Sequence, residues 1–216
     1  MVMRLRARKE EDKLARREAI LAVAARSLGR RQYARVTMAE IAERCGLAKG
    51  TLYLYFSTKE ELFLAALEVE VAAWFDAISE ELITRGRTDP RTFAEVVAHT
   101  LTTRETLTDL LPLLHTVLEQ NIDSETALRF KRMLRDKLVA GAAVVERSLP
   151  LHPGDGVRLL LRTHAVVVGL RQMADPPPAI AEVLARPELH PLQIDFEQEL
   201  LDSLTALVRG MLKADE

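Results

Sequence analysis

An all-helical fold in two parts, a small basic head followed by a larger acidic body, is predicted by three features of the 216-residue sequence. Good helix formers such as Ala, Leu, Arg and Glu dominate, while aromatic residues make up only 5%. Apolar residues recur at helical spacing, and no segment alternates with the period of two that a half-buried strand requires. Charge is polarised along the chain: residues 1–60 carry 14 Lys and Arg against 7 Asp and Glu, whereas the remainder carries 16 against 25. A formal net charge of −2 hides that asymmetry. A basic head on an acidic body points to a polyanion partner for the head alone.

The elements follow in order. From Lys13 to Leu28, apolar positions Leu14, Ile20, Leu21, Ala24 and Leu28 keep helical spacing, and Gly29 offers a stop. Residues 1–12 are expected to form a flexible basic arm with Arg4, Arg6, Arg8 and Lys9, either reaching DNA or serving as a solubilising tail. Thr37 with Glu40 three residues on is a capping box, so a helix is expected over Met38–Arg44. Gly46 breaks it, and a third short helix is expected over about Ala48–Tyr55. Ser57 or Thr58 then caps a long helix over Lys59–Arg85, which no Gly or Pro interrupts. Later helices are expected near 90–107, 109–120, 124–148, 155–173 and 193–213, with breaks at Pro150–Pro153 and Pro176–Pro178. The domain boundary is placed between 58 and 59, giving a head over 1–58 and a body over 59–216.

Composition excludes several classes. Hydrophobic residues reach 48% and charged ones 29%, the balance of a soluble globular chain. No uncharged run approaches the roughly 18–20 apolar residues of a membrane span. No secretory signal pattern stands at the N-terminus, and the single Cys45 cannot form an internal disulfide, so a cytoplasmic location is expected. There is no Gly-rich phosphate loop, nucleophile elbow or Cys/His metal cluster. No enzymatic activity, cofactor or metal is expected.

The chemistry concentrates in Thr37–Tyr53. Ala42 is small where two helices must meet closely, Gly46 permits a sharp turn, and Ile41, Cys45, Leu47, Leu52 and Phe56 supply a small shared core. These are the requirements of a helix-turn-helix. Thr51 and Tyr55 lie at i and i+4 on the face away from Leu52 and Phe56, and Lys49 stands at the start of the recognition helix, where anions are favoured. A purely structural reading is also open: Tyr53 and Tyr55 as an aromatic cluster, Lys59 as a solvated lysine, Cys45 as a core residue. Arg16 and Arg17, at the start of the first helix, are placed either near a DNA backbone or in solvent.

The continuation Thr51-Leu52-Tyr53-Leu54-Tyr55-Phe56-Ser57-Thr58-Lys59-Glu60-Glu61-Leu62 closely resembles the tetracycline-repressor (TetR) family, over about residues 16–64. The resemblance implies an all-α protein with an N-terminal three-helix helix-turn-helix DNA-binding domain and a helical ligand-binding and dimerisation domain. It implies that Thr37, Thr51, Tyr55 and Lys59 contact phosphates, and that Lys49 and Tyr53 reach base edges or flanking backbone. Ala48 stands where many members carry a hydroxyl residue. An exposed Leu54 would suit a thymine methyl.

By the same resemblance the expected function is a repressor that binds a palindromic operator in double-stranded DNA and is released by a small effector. The composition suits a lipophilic one. The expected homodimer forms through the helices near 155–173 and 193–213, whose apolar residues exceed what one body readily buries. Both could instead be internal helices. Ligand candidates are polar or aromatic residues in apolar helices, namely Trp74, His99, His115, Asn121, His164 and Gln172. His115 and Glu119 share a helical i, i+4 spacing but lack a third metal ligand. The alternatives are a protein of the same fold whose body binds another protein, and an all-helical enzyme.

Overall fold

The computed structural model describes residues 2–28 and 33–213, with side chains from 11 and up to 212. Among them only helices, 3-10 turns and irregular segments occur. In chain order the helices are α1 (Val2–Leu28), α2 (Met38–Arg44), α3 (Lys49–Tyr53), α4 (Lys59–Arg85), α5 (Pro90–Thr102), α6 (Glu105–Leu110), α7 (Ser124–Ser148), α8 (Asp155–Ala174), α9 (Pro178–Leu184) and α10 (Phe196–Lys213). Among the described residues, no helix is long and apolar enough to cross a membrane.

The chain packs as two compact units. The first comprises residues 1–69 with 113–130, and the second comprises 70–112 with 131–216. Helix α4 begins in the first unit and continues without a break into the second. A segment far along the chain, 113–130, therefore packs with the first 69 residues.

Helix α1 starts at Val2 rather than Lys13, so the segment expected as an arm is helical. Its residues explain this: from Val2 to Ala15 there is no Gly or Pro, and Arg, Lys, Glu, Leu and Ala all favour the helix. Gly29, and the side chains of Arg4, Arg6, Arg8 and Lys9, lie outside the described residues. Ile20, Leu21, Ala24 and Leu28 of α1 are buried, as are Ile41 and Ala42 of α2, Leu52 of α3, and Phe56. Cys45 and Leu47, also expected in this core, are half-buried. Arg17 adds its guanidinium 5.2 Å from the centre of the Phe56 ring.

In the second unit, the expected helix over 90–107 is interrupted. Helix α5 is capped by Asp89, which accepts from the amides of Arg91 and Thr92, with Pro90 in the first turn, where its missing N–H costs nothing. It ends because Thr102 and Thr103 both turn their hydroxyls onto the carbonyl of His99, at 3.2 and 3.1 Å, competing with the helical ladder. Pro112 denies a helix over 109–120. The chain there holds α6 and 3-10 turns at Leu111–Leu113 and Leu118–Gln120. Short α9 and a 3-10 turn at Pro187–Leu192 fill the stretch between the break at Pro176–Pro178 and the last helix, to which the sequence pattern assigns no element.

Helix α10 packs on α5 and α8. The apolar residues assigned by sequence to a dimer interface divide in two: Leu160, Leu200, Leu204, Val208 and Met211 are buried within the subunit, while Leu161 and Met173 are exposed. Arg171 of α8 bonds to Asp109 of α6 at 2.5 Å. Burial nonetheless holds the Asp109 carboxyl above its ordinary value, against the lowering influence of Arg171.

Candidate nucleic-acid interface

Local chemistry builds the first unit from residue 37 onward. Thr37 accepts from the amide of Glu40 at 3.2 Å, and the Glu40 carboxylate accepts from the amide of Thr37 at 3.1 Å, completing the expected capping box. The end of α2 is closed as firmly. Leu47 donates its amide to the carbonyl of Ala42 at 2.8 Å and Gly46 to that of Glu43 at 2.9 Å, a Schellman pairing that requires the left-handed φ of +65° at Gly46. Any side chain at 46 would strain this turn. The turn aims α3 away from α2 and leaves one face of it open.

Lys49, Tyr53 and Leu54 are exposed, Leu54 to 82%, while Leu52 and Phe56 point into the core. Lys49 holds its ammonium 5.9 Å from the centre of the Tyr53 ring. Thr51 and Tyr55 are half-buried. Helix α3 ends at Tyr53, two residues before the expected limit, so Leu54 and Tyr55 occupy the turn that follows. Ala48 caps α3 without a side-chain hydrogen bond, as its methyl dictates.

At the start of α4, Thr58 is the cap: its hydroxyl accepts from the amide of Glu61 at 3.0 Å, and the Glu61 carboxylate accepts from the amide of Ser57 at 2.7 Å. The same hydroxyl donates to the carbonyl of Asn121 at 3.3 Å, tying the head to the 113–130 segment. Lys59 is turned inward, its ammonium donating to the carbonyl of Tyr33 at 2.5 Å. Tyr33 is the residue that the sequence reading missed. It lies in a 3-10 turn, Tyr33–Arg35, where no periodicity marks it.

Cys45 sits beside this surface, where burial pushes its thiol up and Arg26 opposes the shift. A raised thiol is a poor nucleophile, which fits a packing role.

The six ligand candidates divide between the two units. Trp74 is buried in the second unit and donates its indole N–H to the Thr100 hydroxyl at 3.1 Å, with its ring edge-on to Phe75. His99, one residue before Thr100, is exposed and lines a cavity of about 290 Å³ with Glu80, Glu81, Thr100, Thr103 and Arg104. His115 and Asn121 belong to the first unit. There, His115 Nδ1 lies 3.0 Å from a Glu119 carboxylate oxygen. His164 is half-buried and Gln172 exposed on α8. Among the described residues, no group of three or more His, Cys, Asp or Glu is placed to hold a metal.

Comparisons with known proteins divide the sequence once, between residues 66 and 68. Residues 20–66 match the family described as bacterial regulatory proteins, tetR family, and residues 68–215 match the tetracyclin repressor-like C-terminal domain. An uncharacterized HTH-type transcriptional regulator, YerO of Bacillus subtilis, is 40% identical over 53 residues, 24% of this chain and 18% of that protein. The chain thus spans under a fifth of that curated relative. Among solved structures, a transcriptional regulator from Cytophaga hutchinsonii superposes with a TM-score of 0.55 at 18% identity, over 91% of this chain and 96% of the other. The fatty acid degradation regulator FadR from Bacillus halodurans gives 0.54 at 17% identity, over 89% and 93%. A TetR-family regulator from Mesorhizobium loti gives 0.53 at 19% identity, over 93% and 96%. At these identities the structures show a shared fold. The two family matches together cover nearly all of the sequence, and the chain belongs to the TetR family of DNA-binding transcriptional regulators.

Proposed function

We propose that the chain is a one-component repressor: a homodimer that reads a palindromic operator through Lys49, Tyr53 and Leu54, and leaves it when a small effector binds the second unit. The observation that carries the DNA part is the exposure of Lys49 and Tyr53 on α3 and of Leu54 in the turn that follows, while buried Leu52 and Phe56 anchor the helix. Thr37, Thr51, Tyr55 and Lys59 serve as phosphate contacts, a division of labour in which backbone contacts set register and base edges set sequence. One five-residue helix reads few bases, so useful specificity needs two heads.

Dimerisation is supported by the apolar residues that one subunit leaves uncovered, exposed Leu161 and Met173 on α8 and half-buried Val168 on α8 and Leu207 on α10. Effector release is supported by α4, an unbroken helix that starts one turn after the recognition helix and continues into the second unit. A displacement of α4 in each subunit alters the separation of the two heads, and a preference of about 2.7 kcal/mol for one position lowers DNA affinity about 100-fold. The cavity beside His99 gathers carboxylates, hydroxyls and a guanidinium, so a ligand seated there is polar. The lipophilic effector suggested by composition finds no support in that cavity.

The test is selection of bound duplexes from a random pool, with the mass of the complex measured by sedimentation. A two-fold symmetric site, with half-sites about 34–36 Å apart, is expected for one dimer. A protein that stays monomeric at micromolar concentration and retains all duplexes equally would refute the proposal.

A further inference from the structure

A cation in the first turn of a helix faces the positive end of the helix dipole and is disfavoured there. Lys59 occupies that position in α4 and is half-buried as well, and burial pulls its ammonium pKa below the ordinary lysine value. Several groups compensate. The ammonium donates to the Tyr33 carbonyl, and it stands 3.8 Å from the centre of the Tyr33 ring, over the negative face of the π system. The carboxylates of Glu60 and Glu40 act in the same sense, favouring the charged form.

The ring is itself fixed from two sides. Its edge packs against buried Phe63, centroids 5.2 Å apart at 72°, and its hydroxyl donates to Glu60 Oε1 at 3.0 Å. Burial and the neighbouring Glu60 raise the Tyr33 phenol well above its ordinary value, so it remains a protonated donor. One side chain and its own carbonyl thus hold Lys59 in a single place. An ammonium has three N–H donors, and the Tyr33 carbonyl takes one of them.

We propose that Tyr33 is a positioning residue for DNA binding: its carbonyl and ring face hold the Lys59 ammonium at the edge of the reading head, and a DNA phosphate completes the ammonium's donor set without displacing it. The inference rests on the reading of Lys59 as a phosphate contact. The advantage is in entropy, since a lysine already held surrenders little rotamer freedom when the phosphate arrives.

The experiment compares the full-length protein with Y33L, Y33F, K59A and the Y33L/K59A double variant. Affinity for a selected operator and for a 30-bp duplex of unrelated sequence is measured across a salt series. K59A is expected to weaken binding to both and to make the salt slope shallower by about 0.9 per lost contact. Y33L keeps the charge and the apolar bulk against Phe63. It is expected to weaken both complexes severalfold at a nearly unchanged slope, and the double variant should bind like K59A alone. Y33F, which keeps the ring face, should bind within about twofold of the parent, on the same double-mutant logic. Effects of Y33L and K59A that multiply in the double variant would overturn the proposal, as would a Y33L that binds like the parent while K59A is weakened. If K59A itself binds normally with an unchanged slope, the reading of Lys59 fails and the role of Tyr33 goes with it.

A second measurement uses the unaltered sequence. The ε-methylene resonance of isotopically labelled Lys59 is expected upfield of the other lysines through the ring current of Tyr33, and to stay there when the 30-bp duplex is added. A return to the ordinary lysine position on DNA binding would show that Lys59 leaves the ring to reach the phosphate, and would sink the proposal even if Y33L fails to fold.

Discussion

Gly156 of α8 approaches the backbone of Ala142 in α7 so closely that a Cβ at 156 would stand 2.5 Å from the Ala142 carbonyl oxygen. The neighbouring Glu146 carboxylate accepts from the amides of Gly154 and Gly156, at 2.8 and 3.0 Å, and secures the start of α8 at the crossing. Backbone cannot rotate aside as a side chain can. Gly156→Ala is expected to push α8 off α7 and to cost about 1–3 kcal/mol. A thermal melt should show a fall of several degrees, and an unchanged midpoint would mean that the crossing is looser than described.

The Thr100 hydroxyl accepts from the buried indole of Trp74 while also donating to the carbonyl of Val96 at 2.8 Å. Thr100→Val preserves shape but strands the indole N–H, at an expected cost of about 1–3 kcal/mol. Trp74 is the only tryptophan in the chain. Denaturant unfolding followed by its emission reads both the stability and the local environment, and a midpoint equal to the parent's would show that the indole finds another acceptor.

Thr37→Ala removes the hydroxyl that caps α2 and deprives Glu40 of its reciprocal partner. A loss of about 1 kcal/mol is expected, within the usual range for a capping threonine. Circular dichroism melts check it. Because Thr37 is also proposed as a phosphate contact, Thr37→Ser should restore stability and DNA affinity together.

Asp89 and Asp123 cap α5 and α7, and both carboxyls lie below their ordinary value. For Asp89 the hydroxyl of Thr92 is the main cause and for Asp123 the amide of Thr126, with further amides and the Thr126 hydroxyl assisting. The unfolded chain binds these protons more tightly than the folded one. Their contribution is therefore complete above the ordinary aspartate pKa and is lost as pH falls through the lowered folded value. Asp123→Asn keeps a capping acceptor without a titration, so its stability should fall less between about pH 5 and pH 2, the range in which such carboxylates protonate. Parallel acid profiles for parent and variant would count against this assignment.

Much of the head is legible in sequence because its determinants are local. The Thr37 and Glu40 pair, Gly46, and the uninterrupted run from Lys59 to Arg85 each carry their own structural instruction within a turn or two. The break between α5 and α6 is less legible, since Thr102 and Thr103 fit a helical pattern until their hydroxyls turn onto His99. Tyr33 escaped notice because its meaning lies in Lys59, Glu60 and Phe63, some 26 to 30 residues away. Trp74 carries a related ambiguity: a polar residue in an apolar helix marks a partner as readily as a pocket, and its indole donates to Thr100.

The hydrogen bond from Thr58 to Asn121 bears on how the protein is made. Residues 113–130 pack with the first 69, so the reading head is not finished when the ribosome has passed α4. At about 5–20 residues per second, the roughly 45 residues between the end of α4 and residue 130 take roughly 2–9 s to emerge, during which α1, α2 and α3 await a piece of their own unit. A nascent head is thus incomplete while still tethered. A fragment cut after α3 would lack buried Leu114 and Leu118 together with the Asn121 carbonyl, and grafting this head onto another body would require the 113–130 segment to travel with it.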